Sequence, residues 1–155
     1  MRSIYWYEND LDLLRAEAAV MKKFFPQFKL MKLSDGRLYW RGKVNPTKER
    51  EWDLMVIYAN DHPNTQPNQY GGSIDVFPVS PNLAKLQEQC KTNFPHVYMI
   101  GDDHYICTMR DSDFVATERV TFTAATCLSA ACKWITVLDL WINGDVGDEV
   151  FDHTY

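Results

Sequence analysis

Apolar side chains recur along this chain with two distinct periods, and the changes of period mark out its elements. Asn9 and Asp10 offer capping oxygens, and Leu11, Leu14, Ala18, Met21 and Phe25 follow at spacings of three and four, which predicts a helix stopped at Pro26. Phe28 and Leu30 then alternate with an outward Lys29, and a second run extends from Leu38 through Trp40 to Val44. Asp35-Gly36 between these runs is a hairpin signal, because its central positions favour positive φ. Trp52, Leu54, Val56 and Tyr58 repeat at period two and predict a third strand, and Ile74 to Pro78 a fourth. Trp40 and Trp52 are expected in the core.

Between the third and fourth strands, His62 to Asn68 and Gly71-Gly72 have turn and extended-loop chemistry. Residues 79–119, with Pro81, Pro95 and Gly101, are expected to be mostly irregular, and a loop of that length inside a domain suggests function. Helical spacing returns from Thr121 to Asn143 through Leu128, Ile135, Leu138 and Ile142, with Thr121 or Thr123 as cap and Gly144 as terminator. The expected fold class is α+β: an N-terminal helix, a four-stranded antiparallel meander, a long loop and a long C-terminal helix packed on the sheet.

At 155 residues with 46% hydrophobic side chains, the chain is expected to form one domain over 1–155 with a substantial core, ending in an acidic tail, 144–155. No uninterrupted apolar run or secretory leader is evident, so a cytoplasmic protein without a membrane partner is expected. The net charge of −5 is uneven: residues 1–50 sum to +5 and the remainder to −10. An acidic chain is a poor general binder of nucleic acid, whereas a basic face around Lys22 and Lys23 could serve a protein partner. The four cysteines, Cys90, Cys107, Cys127 and Cys132, form no C-x-x-C and are expected as free thiols.

The densest chemistry lies in Phe94-Pro95-His96-Val97-Tyr98 through Gly101-Asp102-Asp103-His104 to Ile106-Cys107. Cys90, His96, His104 and Cys107 have separations that match no familiar zinc knuckle, so no metal is expected, and nothing orients a histidine on Cys107 as in a peptidase. No glycine-rich phosphate loop points to a nucleotide cofactor, and none is expected.

This segment resembles the active-site motif of the ubiquitin-conjugating enzymes, in which His-Pro-Asn, an aliphatic residue and Tyr precede a Gly and then the catalytic Cys. Pro95, Val97, Tyr98, Gly101, Ile106 and Cys107 match, with about two extra residues before the cysteine. Pro63 and Pro67 keep the spacing of the family's upstream proline element, and the order of elements agrees from about Asn9 to Asn143. The motif asparagine is replaced by His96 and the motif histidine by Phe94, and the two helices that usually follow the long helix have no room.

The resemblance implies a UBC-like fold and a transferase that carries a protein C-terminus as a Cys107 thioester and passes it to an amine. His96 could donate an N–H to the oxyanion, and His104, Asp102, Asp103, Asp111 or Asp113 could handle the amine proton. The short C-terminus is similar to bacterial members found in CBASS antiphage operons, whose partner is a cGAS-like nucleotidyltransferase. A ubiquitin-like protein is the other candidate partner, and since the conjugating fold is expected to use up the 155 residues, the resemblance implies either a separate activating enzyme or an unusual direct action on the nucleotidyltransferase. The alternative is an inactive adaptor of the conjugating-variant type, which binds a partner without chemistry; Cys107 favours the enzyme, and the lost asparagine the adaptor.

Overall fold

The computed structural model describes residues 2–63, 72–100, 102–106 and 123–151. Its core is a six-stranded antiparallel sheet with the order β1-β2-β3-β4-β6-β5, formed by β1 (Lys29–Lys32), β2 (Leu38–Val44), β3 (Trp52–Tyr58), β4 (Ile74–Ser80), β5 (Val97–Ile100) and β6 (Asp103–Ile106). The α+β expectation holds, but the meander does not stop at four strands: β5 and β6 form a further hairpin that joins β4 through the pair Val76 and Ile106.

Helix α2 (Leu11–Phe24) is capped as its sequence predicts, with the Asp10 side chain accepting from the Leu13 N–H. A short α1 (Trp6–Asn9) precedes it and buries Trp6. The buried face of α2 is shifted from the predicted stripe: Met21 and Glu17 are inside, while Leu11 is 55% exposed. The hairpin expected at Asp35-Gly36 forms, but only Gly36 is left-handed, at φ +91°; Asp35 is not, and the turn runs from Leu33 to Arg37 rather than through two residues. Strand β1 is exposed throughout, including Leu30, because it forms an edge of the sheet.

In β3 the alternation is complete. Trp52, Leu54, Val56 and Tyr58 are buried on one face, and Asp53, Met55 and Ile57 are half-buried on the other. Helix α4 (Ala124–Ile142), capped by Thr123 through the Thr126 N–H, lies with α2 on the first face and buries Leu128, Trp134, Ile135 and Leu138. Gly144, at φ +83°, ends it. By length and composition α4 could cross a membrane, although Lys133 and Asp139 interrupt its apolar residues. Its apolarity is also what a helix packed in the core requires. Asp139, fully buried on α4, is held by Arg50 at 3.0 Å, by Thr47 Oγ1 and by Trp52 Nε1, so that the β2–β3 loop is fastened to the helix.

The stretch 79–119 expected to be irregular contains α3 (Leu83–Cys90) and the β5–β6 hairpin among its described residues. Asn82 caps α3 by accepting from the Lys85 N–H, Leu83 and Leu86 anchor it, and left-handed Lys91 closes it. Its three polar exposed positions for every buried pair gave only a short apolar signal, and four-residue strands give less.

Candidate functional site

The Phe94-Pro95-His96 segment is rigidly placed. Phe94 is 4% exposed, its N–H donates to Gln87 Oε1 at 2.8 Å, and its ring meets Trp134 and Trp141 edge-on. The Pro95 carbonyl accepts from Trp134 Nε1 at 3.0 Å. The position where the resembled motif has histidine is therefore a core aromatic here, which pins the loop to α4 by packing and one indole hydrogen bond. The half-buried His96 follows at φ +61°, in the left-handed region. Asparagine is among the few residues that adopt this region readily, and histidine is enriched there as well, so the replacement is compatible with the backbone.

Val97, directly after His96, pairs with Ile106, directly before Cys107 in the chain. Cys107 itself, and Asp111 and Asp113, lie outside the described residues, as do Asn64 to Gly71 of the upstream proline element. The hairpin separates the other candidates. Asp102 and Asp103 are exposed at its turn, and Asp103 is three strand positions from Ile106, about 10 Å. His104, half-buried, pairs with Met99 and lies between the hairpin and α3. His96 is thus at the Ile106 end of the hairpin, and the two aspartates are at the far end.

Cys90 is half-buried at the end of α3, and Cys127 is buried in α4. Cys132 is half-buried, and burial pushes its thiol up to about 11. Among the described residues no disulfide joins Cys90, Cys127 or Cys132. Among the described residues no three His, Cys, Asp or Glu side chains gather as a metal site would.

Two groups escaped the sequence reading. Glu17 is a fully buried carboxylate that faces His62 Nε2 at 3.2 Å and accepts the Ala124 N–H. Its signal was present, since 14, 17 and 21 share a helical face, but a charge on an apolar stripe is ordinarily read as solvated. Asp75 is half-buried on the face of β4 opposite α4, and burial raises its carboxyl to about 7.

A six-stranded antiparallel sheet with helices packed on it, and a β5–β6 hairpin entered through the Pro95-His96 segment, make this an α+β protein. Residues 17–146 match the family described as the type II CBASS E2 protein, and the chain belongs to that family. It is therefore an E2-like component of CBASS antiviral defence. No curated protein and no solved structure matched the chain.

Proposed function

We propose that this protein is an acyl carrier and transferase with Cys107 as its nucleophile. The reading is carried by one observation: the family match spans 17–146, and within that span Val97, following His96, pairs with the residue that precedes Cys107. The Cys107 thiolate attacks the activated C-terminal carbonyl of a cGAS-like nucleotidyltransferase, forming the C–S bond as AMP leaves. A separate activating enzyme supplies the adenylate from ATP. An acceptor amine then attacks the thioester carbonyl, the C–N bond forms, and the Cys107 thiolate departs as the amine proton passes to a neighbouring base. His96 donates its ring N–H to the oxyanion in both tetrahedral intermediates. The protein acts in the cytoplasm as a single domain in a UBC-like fold.

Intact-mass spectrometry tests this directly. The protein is incubated with the neighbouring operon's nucleotidyltransferase, activating enzyme and ATP, then split into reduced and unreduced samples. A thiol-labile adduct on Cys107 is expected, replaced by a thiol-resistant oxyester in Cys107→Ser and absent in Cys107→Ala. Conjugation by Cys107→Ala would overturn the assignment, and a stable complex with no adduct would make the protein an adaptor.

A further inference from the structure

On the side of the sheet opposite α4, the half-buried face of β3 and β4 opens into a cavity of about 490 Å³. Its walls include Met55, Ile57 and Phe77, and Val79 and Ile100 at its mouth are 40% and 54% exposed. Asp75 lines the same space, and its Oδ1 is shut off from solvent without a hydrogen-bond partner. Asp102, Asp103 and His104 line the hairpin side. The one guanidinium present, Arg37, is engaged by Asp35 at 2.9 Å. With Oδ1 buried and unpaired, ionising Asp75 is costly unless a cation reaches its other oxygen from the cavity.

We propose that this cavity receives a lysine side chain from a partner protein, with the ammonium held by Asp75 and the aliphatic stem lying on Ile57 and Phe77. Three carboxylates around an apolar floor complement a cation on a hydrocarbon stem. An anion is excluded by charge. A metal ion would need converging ligands, and no such group exists among the described residues. Lysine suits the site better than arginine, because with Oδ1 closed off the guanidinium fork cannot take both oxygens of Asp75. The exposed Val79 and Ile100 give the residues flanking that lysine an apolar rim to rest on. The site stands independently of the chemistry assigned to Cys107, so failure of conjugation would leave it untouched.

The probe is Nα-acetyl-lysine methylamide, titrated into the full-length protein and followed by amide NMR shifts, with the norleucine analogue as a stem without an ammonium. Saturable shifts at Ile57, Asp75 and Phe77 in the millimolar range are expected, with the norleucine analogue roughly tenfold or more weaker. Asp75→Asn should weaken the lysine probe by about tenfold, as expected for loss of a charge-assisted hydrogen bond. Ile100→Lys, an exposed change that places a tethered ammonium at the mouth, should compete with the probe. Affinity should also rise between pH 6 and 8 as Asp75 ionises. Arg37, Asp102, Asp103 and His104 face the same space, and the rise should persist in a His104→Gln protein. Equal binding of the two probes, shifts away from the cavity, or unchanged binding by both Asp75→Asn and Ile100→Lys would overturn the proposal.

Discussion

Glu17 and Ala124 are 107 residues apart in sequence, yet Oε2 of the first accepts the amide N–H of the second at 3.1 Å inside the core. Ala124 opens α4, whose first amides have no partner within the helix, and a carboxylate at that end also meets the positive pole of the helix dipole. Oε1 of Glu17 faces His62 Nε2 at 3.2 Å, and His62 Nδ1 is 2.7 Å from Ser73 Oγ. One side chain of α2 thereby gathers the start of α4, the turn after β3 and the residue that leads into β4. The chain that enters α4 is the continuation of the segment holding Cys107, so Glu17 fixes where that segment must end.

Glu17→Ala removes that anchor, leaving the buried Ala124 amide without its acceptor and His62 without the carboxylate it faces. A loss of about 3 kcal/mol is expected in urea unfolding. Glu17→Gln keeps an oxygen for Ala124 and should lose less. A Glu17→Ala protein within about 1 kcal/mol of wild type would show that the carboxylate is not what holds the two helices.

Long elements with regular periods were legible from the chain: α2 with its Asp10 cap, the Asp35-Gly36 hairpin, β3, and α4 with Thr123 and Gly144 at its ends. Each has a local signal that agrees with its tertiary place. The α3 helix and the β5–β6 hairpin were not, because Leu83 and Leu86 alone carry the apolar face of α3 and each strand has only four residues. Val97 to Ile100 and Asp103 to Ile106 flank Gly101-Asp102, a hairpin signal that the surrounding prolines obscured. The motif residues around the site could be named from their order, but not their separation. Only the register of β5 on β6 sets His96 apart from Asp102 and Asp103.

His96 combines a backbone demand with a proposed chemical one, and substitutions can separate them. At φ +61° a β-branched side chain is strained, so His96→Val should cost about 1–2 kcal/mol, whereas His96→Asn should be close to neutral. If His96 also stabilises the oxyanion, His96→Ala should slow thioester formation and discharge by about 10²-fold or more, with His96→Asn recovering most of the rate. Equal rates for the Ala variant and wild type would leave His96 with the turn alone.

The thiols should react in a fixed order. With Cys132 raised to about 11 by burial, only about one molecule in a thousand carries its thiolate at pH 8. Cys127, 1% exposed, is sterically closed as well. Iodoacetamide mapping in the native protein should therefore label Cys90 before Cys132 and Cys127, with Cys107 ahead of all three if it is the nucleophile. Labelling of Cys132 as fast as Cys90 would contradict its buried setting, and a Cys107 no faster than Cys90 would count against an activated thiolate.

Asp75 makes the pH dependence of stability testable. Its ordinary value of 3.8 is raised to about 7, chiefly by burial and against the opposing pull of Arg37. Between those values the folded protein holds a proton at this carboxyl that the unfolded chain has already released. Stability contributed by this group is therefore complete below about pH 4, falls as pH rises to about 7, and stays lost above it. The partial exposure of the cavity reduces the full linkage energy, which leaves an expected penalty of about 1–2 kcal/mol at pH 8. Asp75→Asn removes the titration while keeping the shape, so it should be more stable than wild type at pH 8 and equal to it near pH 4. Urea unfolding at the two values reads the difference. A stability gap that does not change with pH would mean that Asp75 ionises in the folded protein as it does in the unfolded chain. A saturating lysine probe should close the gap at pH 8 in the wild type alone, because the ammonium supplies the partner that the carboxylate otherwise lacks.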